Sequence, residues 1–290
     1  MTEPYPRLRA RVIGEADIGS VAALLARGFR RRSRYYWEQA LSRLGRHPTP
    51  AGFPKFGYLL EADGAPVGVI LLIFSAFQDG GLSTVRCNVS SWYVEPDFRA
   101  YATLLISHAL KKKDVTYTNI SPALHVELII RRQGFSRYSN GQFVTLPMLS
   151  RGPRDNRHQV LGFETLPNVP FEAFEKEILV SHAEYGCICF WIATADRAYP
   201  FVFLPRIVKG WIPCAQLIYC RRIADFVSFS KTIGSFLLKQ ARPIVIIDSN
   251  GPISGLSGRY FEGTSPKYYR GPEPPQVGDL AYTEAAMFGL

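Results

Sequence analysis

The stretch GYLLEADGAPVGVILLIF (57–74) constrains the fold more than any other part of the chain. Two apolar runs flank Asp63-Gly64, a dipeptide suited to the left-handed backbone of a two-residue hairpin turn. The stretch therefore reads as strand, turn, strand. Its second run, VGVILLIF (67–74), falls short of the ~20 residues that a membrane-spanning helix needs, and it reads as a buried strand.

The flanking sequence supplies helices. Leu8 to Val12 alternates like a short strand. In GEADIGSVAALLARGF (14–29), apolar residues recur at Ile18, Val21, Leu24, Leu25 and Phe29, a helical period. Ser33 is placed to cap a second helix, YYWEQALSRLG, and HPTPAGFP is a loop by its prolines and glycine. After the hairpin come a strand, TVRCNVSSWYV; a helix, DFRAYATLLISHALKKK; a strand, DVTYTNI; and a helix, SPALHVELIIRRQG, that stops at Gly134. FSRYSNGQFVTLP reads as a hairpin-like strand with an Asn-Gly turn.

Of the 290 residues, 47% are hydrophobic and 20% charged, which argues for packed domains over disorder. The length suits one large domain or two ordinary ones. MTEPYPRLRA lacks the apolar core of a signal peptide, so a cytoplasmic location is expected. The five cysteines show no CxxC spacing, which argues against zinc and for buried thiols. The formal net charge is +10, with clusters at RGFRRRSR (27–34), KKK (111–113) and the pairs 131–132 and 221–222. Such a surface draws anions. Without zinc-finger spacing or an RNP-type motif, nucleic acid is not the favoured partner; an acidic carrier protein or a phosphorylated cofactor fits as well.

The element order over residues 8–148 resembles that of the GNAT (GCN5-related N-acetyltransferase) acyltransferases. Three features carry the likeness: the hairpin LLEADGAPVGVILL, the strand-to-helix passage WYVEPDFRAYATLLISHAL, and a closing strand, helix and Gly134-Phe135. The family writes the central passage V-x-P-x-x-R-x-x-G-x-G/A. Here Val94, Pro96 and Arg99 match, Ala102 takes the first glycine position, and Leu104 departs from the last. The resemblance implies an acyl-CoA co-substrate, or the phosphopantetheine of an acyl carrier protein, with no metal. Its pyrophosphate would lie against the N–H groups of a helix start, whose first donors are unpaired. The implied donor-binding residues are Tyr93, Val94, Arg99, Ala100, Tyr101, Ala102, Thr103 and Leu104. The leaving-group tyrosine of the family falls on Ile130. No carboxylate stands among Cys87, Asn88, Val89, Ser90 and Ser91, where a base is often found. His125 is the candidate acid or base, set against a plain helix-end histidine.

RGPRDNRH (151–158) reads as a linker. Beyond it, helix, strand, strand, strand, helix and strand follow the rhythm of residues 33–120. The expected architecture is an α/β (α+β mixed-sheet) GNAT-like fold in two tandem halves: 1–150, which binds the acyl donor, and 151–290, a degenerate copy. An unrelated α/β domain is the alternative for the second half. GRYFEGTSPKYYRGPEPPQVGDLAYTEAAMFGL reads as an irregular flap whose apolar end packs back on the body. The leading functional expectation is an acyltransferase acting on a small-molecule amine or hydroxyl; a non-catalytic acyl- or CoA-binding protein is the alternative.

Overall fold

A computed structural model describes residues 6–79, 82–122, 127–150 and 158–289. The chain divides into two compact units: residues 1–119 with 270–273, and residues 120–269 with 274–290.

In the first unit, strands β1 (Leu8–Val12), β2 (Gly57–Ala62), β3 (Ala65–Asp79), β4 (Leu82–Val94) and β5 (Val115–Asn119) lie side by side in chain order. The first three pairings are antiparallel, and β4 pairs with β5 in parallel. The hairpin stands where the sequence puts it: Asp63 and Gly64 take φ of 49° and 84°. Helices α1 (Ile18–Gly28) and α2 (Arg34–Arg46) precede β2, and Ser33 accepts a hydrogen bond from the Tyr36 N–H at 3.1 Å as the cap of α2. Helix α3 (Ala102–Ala109) joins β4 to β5. Gly68 belongs to this packing. A Cβ there would stand 3.1 Å from Val94 and 3.2 Å from Leu105 of α3, tighter than ordinary van der Waals contact.

The second unit repeats the plan. Strands β7 (Gln159–Gly162), β8 (Ile188–Ala193), β9 (Ala198–Val208) and β10 (Ile212–Cys220) are antiparallel neighbours, and β10 pairs in parallel with β11 (Ile244–Ser249). Helix α5 (Ala173–Glu184) lies between β7 and β8. Where the expected rhythm has one helix before the last strand there are two, α6 (Ile223–Ser228) and α7 (Ser230–Lys239), broken at Phe229. Their apolar faces close on Phe190, Phe201, Phe203, Val245 and Ile247. A short helix, α4 (Glu127–Arg132), and β6 (Ser136–Thr145) also belong to this unit, where β6 pairs with β11.

Two expectations are corrected. Asn140-Gly141 is no turn: β6 runs straight through it, and Gly141 is there because β12 comes close. A Cβ at 141 would stand 2.3 Å from the Phe261 carbonyl oxygen. The flap is no flap over its first part: Gly258–Arg270 forms β12, paired antiparallel with β6. Its departure from a plain strand is a bulge between Glu262 and Lys267, with left-handed Gly263 and Ser265. Lys267, within β12, is buried against Asp248 at 3.2 Å. The apolar end does pack back: Leu280, Ala281, Ala285, Ala286, Met287 and Phe288 are buried.

Candidate functional site

The first unit holds a notch whose shape follows from the register of β4. Strand β5 accompanies β4 only from Val85↔Val115 to Asn88↔Thr118. Beyond Asn88, β4 continues to Val94 while keeping β3 as its neighbour. Among the described residues no strand pairs with its other edge there. A strand edge without a strand neighbour can take an extended ligand in the manner of an added strand.

A bulge sits at the base of the notch. The β3–β4 register shifts between Val69↔Tyr93 and Leu71↔Ser90, and Ser91 takes φ of 50°. Left-handed backbone at a serine costs on the order of 1 kcal/mol and marks a place where the surrounding structure imposes the conformation. The base is polar although buried. Asn88 donates through Nδ2 to the Thr118 carbonyl oxygen and Oγ1, both at 3.3 Å, and Ser90 and Ser91 share a hydroxyl contact at 2.9 Å. The indole N–H of Trp92, next along the strand, is buried with no hydrogen-bond partner.

The walls exclude some chemistry. Burial raises the Cys87 thiol well above its ordinary range, so it is no nucleophile at neutral pH. Burial also raises the Tyr117 phenol, whose oxygen accepts the Lys112 N–H at 3.2 Å. Tyr58 is raised for the same reason, and its ring lies 5.6 Å from that of His108. His125 lies outside the described residues. Ile130, at the family's tyrosine position, is buried on α4 in the second unit.

The expected donor-binding residues occupy one continuous passage. Val94 is buried opposite Gly68. The Tyr93 ring lies under the end of α1, where a Cβ on Gly28 would come within 2.4 Å of it, so that side chain is committed to packing. Pro96 to Tyr101 form a 3-10 helix, with Arg99, Ala100 and Tyr101 exposed. Ala102, Thr103 and Leu104 open α3. The 3-10 segment matters chemically, because the Ala102 N–H donates to the Arg99 carbonyl. A phosphate reaching for that N–H has to displace this bond. Nothing in the residue types around Ala102 announces such a turn.

Among the described residues, no cluster of histidine, cysteine, aspartate or glutamate is arranged to hold a metal ion, and no helix is long and apolar enough to cross a membrane.

The second unit has the matching place. β10 leaves β11 after Gln216↔Ile246, and its register with β9 shifts between Leu217 and Tyr219. Here the chain's own C-terminal segment lies along the strand. Tyr219 bridges Asp279, and the Leu280 N–H donates to the Ile218 carbonyl at 2.7 Å. Tyr282 N–H donates to His182 Nε2 at 3.1 Å, and the Ser121 hydroxyl donates to the Glu284 carboxylate. At the C-terminal end of β10, Arg221 grips the buried Glu175 through two hydrogen bonds of 2.7 and 2.5 Å.

The sequence matches no protein-family profile. None of the curated proteins is similar to it in sequence. Solved structures do match in shape. A GCN5-related N-acetyltransferase from Anabaena variabilis aligns with a TM-score of 0.58 at 13% identity, over 91% of this chain and 72% of its own. A GCN5-related N-acetyltransferase from Kribbella flavida aligns with a TM-score of 0.54 at 15% identity, over 92% and 71%. A conserved protein from Enterococcus faecalis gives 0.57 at 11% identity, over 94% and 73%. At such identities the likeness is one of fold. The parallel β4–β5 pair, the bulge and the helix that follows agree with it: this chain has the mixed α/β fold of the GCN5-related N-acetyltransferases, and its second unit repeats the strand order of the first.

Proposed function

We propose that the protein is an acyltransferase that takes an acyl group from acyl-CoA, or from the phosphopantetheine of an acyl carrier protein, and gives it to a small-molecule amine or hydroxyl. The observation that carries this reading is the open edge of β4 beyond Asn88, with its bulge at Ser90-Ser91. A pantetheine arm has amide groups spaced to pair with an open strand edge. Its thioester would then lie near the bulge, where main-chain N–H groups turned out of the ladder can polarise the carbonyl oxygen and hold the charge that develops as the acceptor attacks. The acceptor forms a bond to the carbonyl carbon, the carbon–sulfur bond breaks, and the thiolate leaves with the electron pair.

Holding both reactants in line is the chief contribution the described residues can make. The acceptor's proton passes to water or to His125. Pyrophosphate binding at Arg99 to Leu104 belongs to the same proposal, with the Arg99–Ala102 bond opening on binding.

A second reading has an observation in its favour. The aliphatic Ile130, where the family's leaving-group tyrosine falls, suits a protein that holds an acyl or CoA group without turning it over. Titration calorimetry with CoA, acetyl-CoA and longer acyl-CoAs, followed by a thiol-release assay with an amine panel, separates the two. Binding with thiol release supports transfer, and binding without it supports the holding role. Absence of binding by every donor, carrier-protein-linked acyl groups included, refutes both.

A further inference from the structure

The hairpin that joins β9 to β10 runs out of the core. Its last pairing is Val208↔Ile212, and the residues between them turn, Lys209 and Gly210 with left-handed φ of 51° and 80°. None of the residues 205–213, PRIVKGWIP, is buried. Ile207 is 56% exposed and Trp211 76%. A single exposed apolar side chain is ordinary; a tip that carries Ile207, Val208, Trp211 and Ile212, none of them buried, is not. The topology does not require it. The corresponding hairpin of the first unit, β3–β4, pairs as far as Asp79↔Leu82, and its sequence there, QDGGLS, offers an acid and glycines in place of the lysine and tryptophan.

The same end of the sheet is basic. Strand β11 runs parallel to β10 and starts at Ile244 beside Cys214, so the turn before it lies at the hairpin's end. Arg242 of that turn donates through Nη1 to the carbonyl oxygens of Arg206 at 3.1 Å and Cys214 at 3.2 Å, which ties it to the base of the tip. Lys239, the last residue of α7, is exposed, as is Lys209 in the tip itself. Residues 205–216 and 231–247 contain no aspartate or glutamate. Acids at this end of the sheet, Glu164 after β7 and Glu184 before β8, adjoin strands that stop short of the tip: β8 pairs with β9 only as far as Phe203, while β9 runs on to Val208.

Cations around an exposed tryptophan are the pattern of a segment that rests in the interface of an anionic membrane, the indole among the headgroups and the cations on the lipid phosphates. A hairpin tip suits a lipid surface, which parts to admit it, better than a protein partner, which needs on the order of 800 Å² of matched surface on each side. We propose that this end of the second unit docks on an anionic phospholipid surface, with Ile207 and Trp211 entering the headgroup region and Lys209, Lys239 and Arg242 meeting the phosphates. The contact is peripheral, and it does not rest on the acyl-transfer reading.

The test uses the full chain and co-sedimentation with two kinds of vesicle, phosphatidylcholine alone and phosphatidylcholine mixed with phosphatidylglycerol. Three variants accompany the wild type: Trp211→Ser, Lys209→Glu/Lys239→Glu and, as a control for bulk charge, Lys111→Glu/Lys113→Glu in the first unit. All of these positions are exposed, and thermal melting verifies that the variants fold. The wild type should bind the anionic vesicles and not the neutral ones, with an affinity that falls as salt rises. Trp211→Ser and Lys209→Glu/Lys239→Glu should each lose at least about tenfold in affinity, and the control should stay within about twofold of the wild type. Tryptophan emission of the wild type should shift to the blue on anionic vesicles, and that shift should vanish in Trp211→Ser. The proposal is overturned if the wild type ignores anionic vesicles, if the tip variants bind as well as the wild type, or if the control loses as much as Lys209→Glu/Lys239→Glu, which would make binding a matter of net charge. Absence of vesicle binding together with a dimer, or with binding of an acyl carrier protein, that depends on Trp211 also overturns it, in favour of a protein occupant.

Discussion

In the first half, β4 runs past its last pairing with β5 at Asn88↔Thr118, and the edge it leaves is unclaimed by any strand among the described residues. In the second half, β10 runs past Gln216↔Ile246 in the same way, but Asp279 and Leu280 lie on the edge it leaves. Both halves share the order of strands, the single parallel pair, the bulge and a helical connection between the paired strands. The difference lies in what meets the freed hydrogen-bonding groups. An unmet edge is a place to bind; an edge met by the chain's own backbone is part of the core. Retention of the fold with that edge covered shows that the bulge and the short parallel pairing come with the topology, while the proposed ligand place is one that a segment of chain can take.

The largest expected effect tests the filled edge. Leu280 is 1% exposed at the centre of the covering segment. Leu280→Ala should cost the second unit on the order of 4 kcal/mol, by lost transfer free energy plus the cavity left behind. Urea denaturation followed by circular dichroism measures it. A loss below about 1 kcal/mol would mean that the segment merely lies on the surface of β10. The same comparison fixes donor stoichiometry: calorimetry should give one CoA per chain, and two would show that the tail yields its place.

Next in size is an acid sensitivity confined to the first half. His47 is buried, with Nε2 2.9 Å from the Phe74 carbonyl oxygen and 3.0 Å from Ser75 Oγ. Burial lowers its pKa to about 4 from an ordinary 6.5. The unfolded chain therefore takes up a proton near 6.5 while the native state does not. The stability that the neutral ring contributes is complete above that pH and is lost as pH falls toward 4, by up to about 3 kcal/mol. His47→Gln should flatten this slope in a pH series of denaturation curves; an unchanged slope assigns it elsewhere.

Third is Ala102→Glu, which adds volume and a like charge where the pyrophosphate is proposed to lie. CoA affinity should fall about a hundredfold, worth about 2.7 kcal/mol. The melting temperature should hardly move, because a carboxylate suits a helix start. Arg99→Ala should weaken CoA binding less, since most of the proposed grip is main chain. Unchanged CoA binding by a folded Ala102→Glu protein makes the passage a connection only.

The contrast between the halves also explains what the sequence made legible. The hairpin at Asp63-Gly64, the Ser33 cap and the apolar runs of β8 to β11 are local signals, each carried by a few adjacent residues, and each stands as expected. Strand β12 was hidden because its composition, rich in glycine and tyrosine with Pro266 inside it, resembles a loop; it is a strand because β6 lies beside it. Asn140-Gly141 misled for the converse reason, its glycine being required by a neighbouring strand and not by a turn. At the site, Val94, Pro96 and Arg99 located the passage, but the bulge, the Asn88–Thr118 bond and the unpartnered Trp92 N–H depend on register, which no short motif encodes. Nor does any motif announce that Asp279 and Leu280 lie on β10.

The smallest expected effect bears on the bulges themselves. Ser91 is left-handed at φ of 50°, whereas no residue from Leu217 to Tyr219 has positive φ. The half with the open edge therefore carries backbone strain at its bulge, and the half with the covered edge does not. Glycine adopts left-handed backbone without the steric penalty that Cβ brings. Ser91→Gly should release up to about 1 kcal/mol, reduced by the lost hydroxyl contact with Ser90 and by the greater freedom of the unfolded chain. Its net effect on denaturation should lie within about 1 kcal/mol of zero. Ile218→Gly, at the matching bulge, has no strain to release and empties a fully buried site, so it should destabilise by several times as much, on the order of 4 kcal/mol. Equal losses at the two positions would show that Ser91 is held by its own side chain and not by the bend of β4. The unequal losses expected here would place the strain at the edge left open for a ligand, the half in which an imposed bend still has something to bind.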